Sequence, residues 1–114
     1  MEQQHFEELS FDANFVAGST VLGSNAQGGK LIISDETFVF MPHSFNFGDR
    51  RDKEFQIKDI CGYKKGFLTN FHIYLNNGLD LEFKVWKKDA IINALEERRT
   101  AIFRNAGEKV PPLR

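Results

Sequence analysis

The sequence predicts a mainly β domain, an antiparallel meander of about seven strands followed by one C-terminal α-helix. Three observations lead there. The 114 residues include 12 Phe, a side chain favoured on half-buried pleated surfaces. Short apolar runs alternate with polar residues at period 2 and are punctuated by Gly, Asn and Pro. One late stretch switches to helical periodicity. At 41% apolar residues, the chain has enough material for a single packed core. We divide it into an acidic lead segment (1–14), one domain (15–104) and a tail (105–114).

The elements follow in order. "FVAGSTVLG" (15–23) is β-branched enough for a strand, and "SNAQGG" (24–29) then reads as a loop. "KLIIS" and "TFVFM" are two strands joined through Asp35 and Glu36. With those two residues in the turn, Ile33 meets Phe38 and Leu31 meets Phe40 on one face, while Ile32 meets Val39 on the other. The turn has neither the Gly nor the Asn of a tight primed turn, so its type stays open. "KEFQI" is a fourth strand, and "ICGYKKGF" a fifth whose glycines mark bends or bulges.

"FHIYL" and "LDLEFKV" complete the sheet. A two-residue Asn-Gly turn between them sets Leu75 against Asp80. A three-residue loop, Asn76 to Gly78, instead pairs Leu75 with Leu79, Ile73 with Leu81 and Phe71 with Phe83, and puts Gly78 where a left-handed residue is needed. The second register is adopted. The helix spans roughly 87–104. Ile91, Ala94, Leu95, Arg98, Ala101 and Ile102 form its buried stripe, with Arg98 snorkelling at the rim. Trp86 is expected to anchor the strand–helix junction, and Gly107 with Pro111 and Pro112 to end the helix. A meander of this kind hides its edges by curling into a barrel or two packed sheets, with the helix plugging an open end.

Net charge is −1, with four acids and no Lys or Arg in residues 1–29 and all 15 bases against 12 acids beyond. That excess is too small for the dense basic face of a nucleic-acid binder. The single cysteine, Cys61, forms no intramolecular disulfide, and no Cys/His spacing points to zinc. No apolar run approaches the ~18 residues of a membrane span, and the first residues are acidic rather than leader-like. The expected location is cytoplasmic, or peripheral at a membrane.

Catalytic candidates weigh little. Cys61 is read as a small strand residue, with no activating His or Asp at a suggestive spacing. In the adopted register His72 lies opposite Glu82, and Tyr74 opposite Asp80, on the face away from Phe71 and Leu81. A His–Glu pair can act as an acid–base unit. A solvated cross-strand pair, contributing about 0.2–1 kcal/mol, is the stronger reading, because no phosphate loop, oxyanion device or metal constellation accompanies it. No enzyme activity, cofactor or metal is expected.

"FVFMPHSFNFGDRRDKEF" (38–55) carries the binding candidates. Stacking of nucleobases by Phe38, Phe40, Phe45 and Phe47 beside Arg50 and Arg51 is the weaker reading. The hairpin register claims Phe38 and Phe40 for the core, and Asp49, Asp52 and Glu54 offset the bases. Pro42 ends the strand, and residues 43–52 form a loop longer than the usual ~4–6 residues. It is expected to neighbour residues 24–28. Two arrangements stay open. Phe45 and Phe47 dock on an apolar surface while Arg50, Arg51 and Lys53 meet anionic groups, or the loop folds back over both Phe with Asp49 and Asp52 pairing the arginines. The acid count leans towards the second.

Residues 28–60, with Gly29-Lys30-Leu31, Val39-x-Met41 flanked by Phe38 and Phe40, and Ile57-x-x-Ile60, resemble the GRAM domain, a member of the PH-like superfold. "NNGLDLEFKVWKKDAIINALEE" is similar to that family's last hairpin and terminal helix, so the resemblance covers about 15–104. Ser34 stands where Thr is usual, and Thr37 where a base commonly follows the turn. The resemblance implies a PH-like antiparallel β-barrel of about seven strands capped by one C-terminal helix. It also implies a non-catalytic module that binds lipid or protein. Peripheral association with an anionic lipid surface is the leading expectation. A protein–protein adaptor, self-associating through an open strand edge or the outer helix face, is the alternative. A small-molecule carrier needs a pocket that twelve Phe are better placed to fill.

Overall fold

The computed structural model describes residues 5–20, 23–43 and 52–114, with the backbone alone for 17–20 and 23–25. The strands are β1 (Leu9–Thr20), β2 (Gly23–Ile33), β3 (Thr37–Pro42), β4 (Lys53–Gln56), β5 (Ile60–Lys65), β6 (Asn70–Leu75) and β7 (Asp80–Lys84). A 3-10 turn at Ile57–Asp59 joins β4 to β5, and helix α1 spans Lys88–Asn105. All strand pairs are antiparallel. Their order is β4-β3-β2-β1-β7-β6-β5. The end strands β4 and β5 are not hydrogen-bonded neighbours, so the sheet curls around its core without closing.

The first hairpin is longer than expected. β1 begins at Leu9 rather than at residue 15, and "SNAQGG" is strand rather than loop. The reason is visible in the ladder. Leu9, Phe11, Ala13 and Phe15 alternate with Ser10, Asp12 and Asn14, and they face Ile33, Leu31, Gly29 and Gln27 of β2. Ala13 and Phe15 are buried in the core. Small residues of weak strand propensity are held extended by a partner strand, a tertiary effect that local composition does not report. Asp12, counted with the acidic lead segment, is ion-paired across the ladder with Lys30.

The next registers match expectation. Ile33 pairs with Phe38, Ile32 with Val39 and Leu31 with Phe40, and Ser34 N–H donates to the Thr37 carbonyl at 2.9 Å across the turn. Phe71 pairs with Phe83, Ile73 with Leu81, and Leu75 N–H donates to Leu79 at 2.9 Å. Gly78 holds φ at +90°, the left-handed position of the three-residue loop. The β5–β6 register shifts between Ile60 and Gly62, placing a bulge beside the β5 glycine, Gly62.

Aromatic rings fill the interior. Phe15, Phe40 and Phe83 form a triangle with centroid distances of 5.5, 5.2 and 6.3 Å, in tilted geometries that suit ring quadrupoles. Phe38, Phe40, Phe71 and Phe83 are fully buried. Helix α1 packs on the 3-10 turn and β5 through Ile91, Ala94, Leu95 and Ala101. It ends in a Schellman arrangement, with Glu108 N–H donating to Phe103 at 2.8 Å and Gly107 N–H to Arg104 at 3.0 Å.

Two expectations about this helix are corrected. Arg98 does not snorkel at a rim; it is only 2% exposed. Its guanidinium donates to the Ala94 and Glu7 carbonyls at 2.9 and 2.6 Å and lies 4.7 Å from the Phe6 ring centroid. The segment before β1 folds over it, and the resulting burial lowers its pKa. Neighbouring Arg99 is buried as well, donating to the Ile60 carbonyl, to Glu96 and to the Pro111 carbonyl. Trp86 does not anchor the junction, since its side chain is 80% exposed.

Candidate functional site

Of the expected binding loop, Phe45, Phe47, Arg50 and Arg51 lie outside the described residues. Lys53 opens β4 opposite Phe40, on the core-facing side of the strand, and its Nζ sits 5.8 Å from the Phe15 ring centroid. At the other root of that loop, His43 N–H donates to the Gly28 carbonyl at 3.0 Å. The β3 end and residue 28 are therefore adjacent, as expected, but through strand pairing.

The remaining candidates resolve into structural roles. His72 lies opposite Glu82, yet its Nδ1 is 2.6 Å from Asp80 Oδ1, and Glu82 accepts instead from the Asn70 amide at 2.8 Å. The His72 and Tyr74 rings stack at 5.9 Å on the same outer face. Cys61 is buried in β5, and its Sγ accepts from the Arg114 guanidinium at 3.0 Å. Among the described residues, no group of three or more His, Cys, Asp or Glu is arranged to hold a metal ion.

A different corner of the molecule combines exposed apolar side chains with concentrated charge. The β5–β6 loop carries Phe67 and Leu68, 85% and 64% exposed, and the β7–α1 junction carries Trp86. Lys64 and Lys65 precede the loop, Lys84 precedes the junction, and Lys87 and Lys88 follow it. Residues 64–68 and 84–89 together hold five lysines and one acid, Asp89.

Backbone pairing brings the two segments together. Asn70 lies opposite Lys84 in the β6–β7 ladder, and Val85 N–H donates to the Thr69 carbonyl at 2.8 Å, carrying the pairing past the end of β7. Side chains tie the helix start to the loop: Lys88 Nζ donates to the Gly66 carbonyl at 2.8 Å, and Lys65 Nζ lies 3.0 Å from Asp89 Oδ1. The loop closes through Gly66 N–H to Asn70 and Asn70 N–H to Phe67, at 2.9 and 3.1 Å. A Cβ at Gly66 would meet Asn70 Oδ1 at 2.2 Å, so the turn requires glycine for space. Leu68 holds φ at +54°, which glycine, lacking a Cβ, accepts and a leucine resists.

The surrounding charges are arranged outward. Lys64, Lys84 and Lys87 are exposed. The Asp12 carboxyl lies below the usual carboxylate range, chiefly through its hydrogen bond and charge attraction to Lys30, with smaller contributions from His43 and Lys87. Sequence reasoning missed this corner, although "KKGFL" and "KVWKK" share one signature, lysines flanking large apolar residues. What hid it was the assignment of Phe67 to the end of a strand and of Trp86 to an anchoring role at the strand–helix junction.

No protein-family model matches the chain, and no curated protein matches it in sequence. Solved structures match in fold. The C-terminal domain of an unknown protein from Leishmania infantum aligns with a TM-score of 0.62 at 14% identity, covering 85% of this chain and 84% of that one. The N-terminal PH domain of human ARAP2 protein aligns at 0.62 and 8% identity, covering 83% and 81%. The PH domain of human oxysterol binding protein-related protein 11 aligns at 0.58 and 9% identity, covering 91% and 88%. The chain has a PH-like fold, with seven antiparallel strands in one curled sheet and one C-terminal helix among the described residues.

Proposed function

We propose that the protein is a non-catalytic module that attaches peripherally to anionic membrane surfaces from the cytoplasm. The observation that carries this reading is the lysine concentration at the corner formed by residues 64–68 and 84–89. Five lysines less one aspartate give a net charge of +4 on a surface where the whole chain carries −1. At about 1 kcal/mol per base near an anionic leaflet, four charges contribute about 4 kcal/mol, which is attachment in the millimolar range. The PH-like fold is compatible with a lipid or protein ligand, and fold alone does not choose between them. The spacing of Gly29-Lys30-Leu31 and Ile57-x-x-Ile60 supports placing the chain in the GRAM branch of that superfold. In this reading the loop with Phe45, Phe47, Arg50 and Arg51 is a second contact to the same surface, while Lys53 at its root faces the core.

The test is co-sedimentation with phosphatidylserine-containing and phosphatidylcholine-only vesicles at low and near-physiological salt. Binding to anionic vesicles that weakens as salt rises, and that a Lys64→Gln/Lys84→Gln/Lys87→Gln variant loses, is expected. An Arg50→Gln/Arg51→Gln variant reports the contribution of the loop. Absence of binding to any vesicle overturns the lipid reading in favour of a protein partner.

A further inference from the structure

Three of the most exposed large apolar side chains among the described residues, Phe67, Leu68 and Trp86, sit on two segments fastened to one another. Largely exposed aromatic side chains grouped in this way mark an interaction surface. Their surroundings decide what kind. A protein interface buries its aromatic anchors at the centre and depletes lysine there. Here two lysines precede Phe67 and Leu68, lysines precede and follow Trp86, and Lys64, Lys84 and Lys87 point to solvent. Amphipathic aromatics at headgroup depth, with lysine stems reaching back to phosphates, describe a surface made for the boundary of a bilayer.

The rigidity of the corner supports the same occupant. Leu68 is held in a left-handed conformation that its side chain opposes, and Gly66 closes the loop where no Cβ fits. The Lys88–Gly66 hydrogen bond and the Lys65–Asp89 ion pair fix the loop against the helix start. An ordered, strained loop that presents Phe and Leu to water is preorganised, so little conformational freedom is lost on docking.

We infer that Phe67, Leu68 and Trp86 form a wedge that inserts into the headgroup–acyl boundary of an anionic membrane, with Lys64, Lys84 and Lys87 meeting lipid phosphates. This rests on the membrane reading above and deepens it, from attraction by charge to insertion at named residues. Charge alone gives weak, fully salt-reversible attachment; the wedge supplies a part of the binding that salt does not remove.

The chain contains a single tryptophan, so Trp86 reports its own environment. The experiment titrates the full chain with mixed phosphatidylserine–phosphatidylcholine vesicles while reading Trp emission, with and without bromine-labelled acyl chains, alongside sedimentation. Phe67→Ser and Leu68→Ser variants keep the reporter in place. The expected result is a blue shift with quenching by the brominated lipid. Each substitution should weaken binding roughly tenfold, with residual binding of the wild type persisting at high salt. The folding of each variant is checked by thermal unfolding, and both side chains are exposed enough to leave the core intact. Sedimentation with vesicles but no emission change, and no effect of either substitution, overturns the wedge while leaving charge-driven attachment standing. Failure to sediment with any vesicle overturns both readings. A blue shift that grows with protein concentration in the absence of lipid assigns the patch to a second copy of the chain, and also overturns the wedge.

Discussion

Leu68 holds φ at +54° with a side chain that is mostly in water, so the fold gains little from it there. In the left-handed region a Cβ crowds the following carbonyl, at a cost of roughly 1–2 kcal/mol that glycine avoids. Glycine also loses more freedom on folding, which offsets part of the gain. Leu68→Gly should therefore raise unfolding stability by about 0.5–1 kcal/mol, read by urea titration. The same variant should bind anionic vesicles less well. Stability and binding moving in opposite directions is the signature of a residue retained for contact with a ligand. A loss of stability instead would mean that Leu68 packs against the loop in a way its exposure does not suggest.

At the scale of elements, alternation was enough to place β3, β6 and β7 in register, because large apolar pairs such as Phe71–Phe83 leave one good alignment. It failed for the first hairpin. Gly28, Gly29, Asn14 and Ser24 carry no strand signal of their own and are extended because each faces a partner. It also failed for the segment before β1, which lies against Asp35 in the β2–β3 turn and Arg98 in α1. The Asp35 carboxylate is 2.9 Å from His5 Nδ1 and accepts the Phe6 N–H at 2.7 Å. The His5 hydrogen bond first, and the Phe6 backbone second, hold its pKa below the usual carboxylate value of 3.8. A carboxyl depressed in the fold stabilises above its unfolded value and ceases to do so as pH falls through its folded value. Acidification below about pH 4 should thus release residues 5 and 6, seen as a shift of the Phe6 amide resonance. In an Asp35→Asn variant that amide should not titrate over this range. Persistence of the same titration would assign it to a group other than Asp35.

At the scale of the whole molecule, the functional corner is a product of topology. "KKGFL" and "KVWKK" lie on either side of a hairpin, and only the three-residue Asn76–Gly78 loop sets Asn70 opposite Lys84 and Val85 beside Thr69. Each segment was legible alone; their juxtaposition depends on a register, and the exposure of Trp86 on how the helix leaves the sheet. The same topology decides which acid opposes the lysines. Asp12, on β1, is paired with Lys30 and also feels the charge of Lys87. It subtracts from the positive field that faces a membrane docked at this corner. Asp12→Asn removes one negative charge and frees Lys30, while leaving Phe67, Leu68 and Trp86 in place. Binding to phosphatidylserine-containing vesicles should strengthen about fivefold near physiological salt, the equivalent of about 1 kcal/mol for one added charge at the surface. Binding to phosphatidylcholine-only vesicles should not change, and the gain should shrink as salt rises, because the field is screened within about 8 Å at physiological ionic strength. Equal affinity of the two proteins for anionic vesicles would place the bound membrane away from Asp12, and so away from this corner.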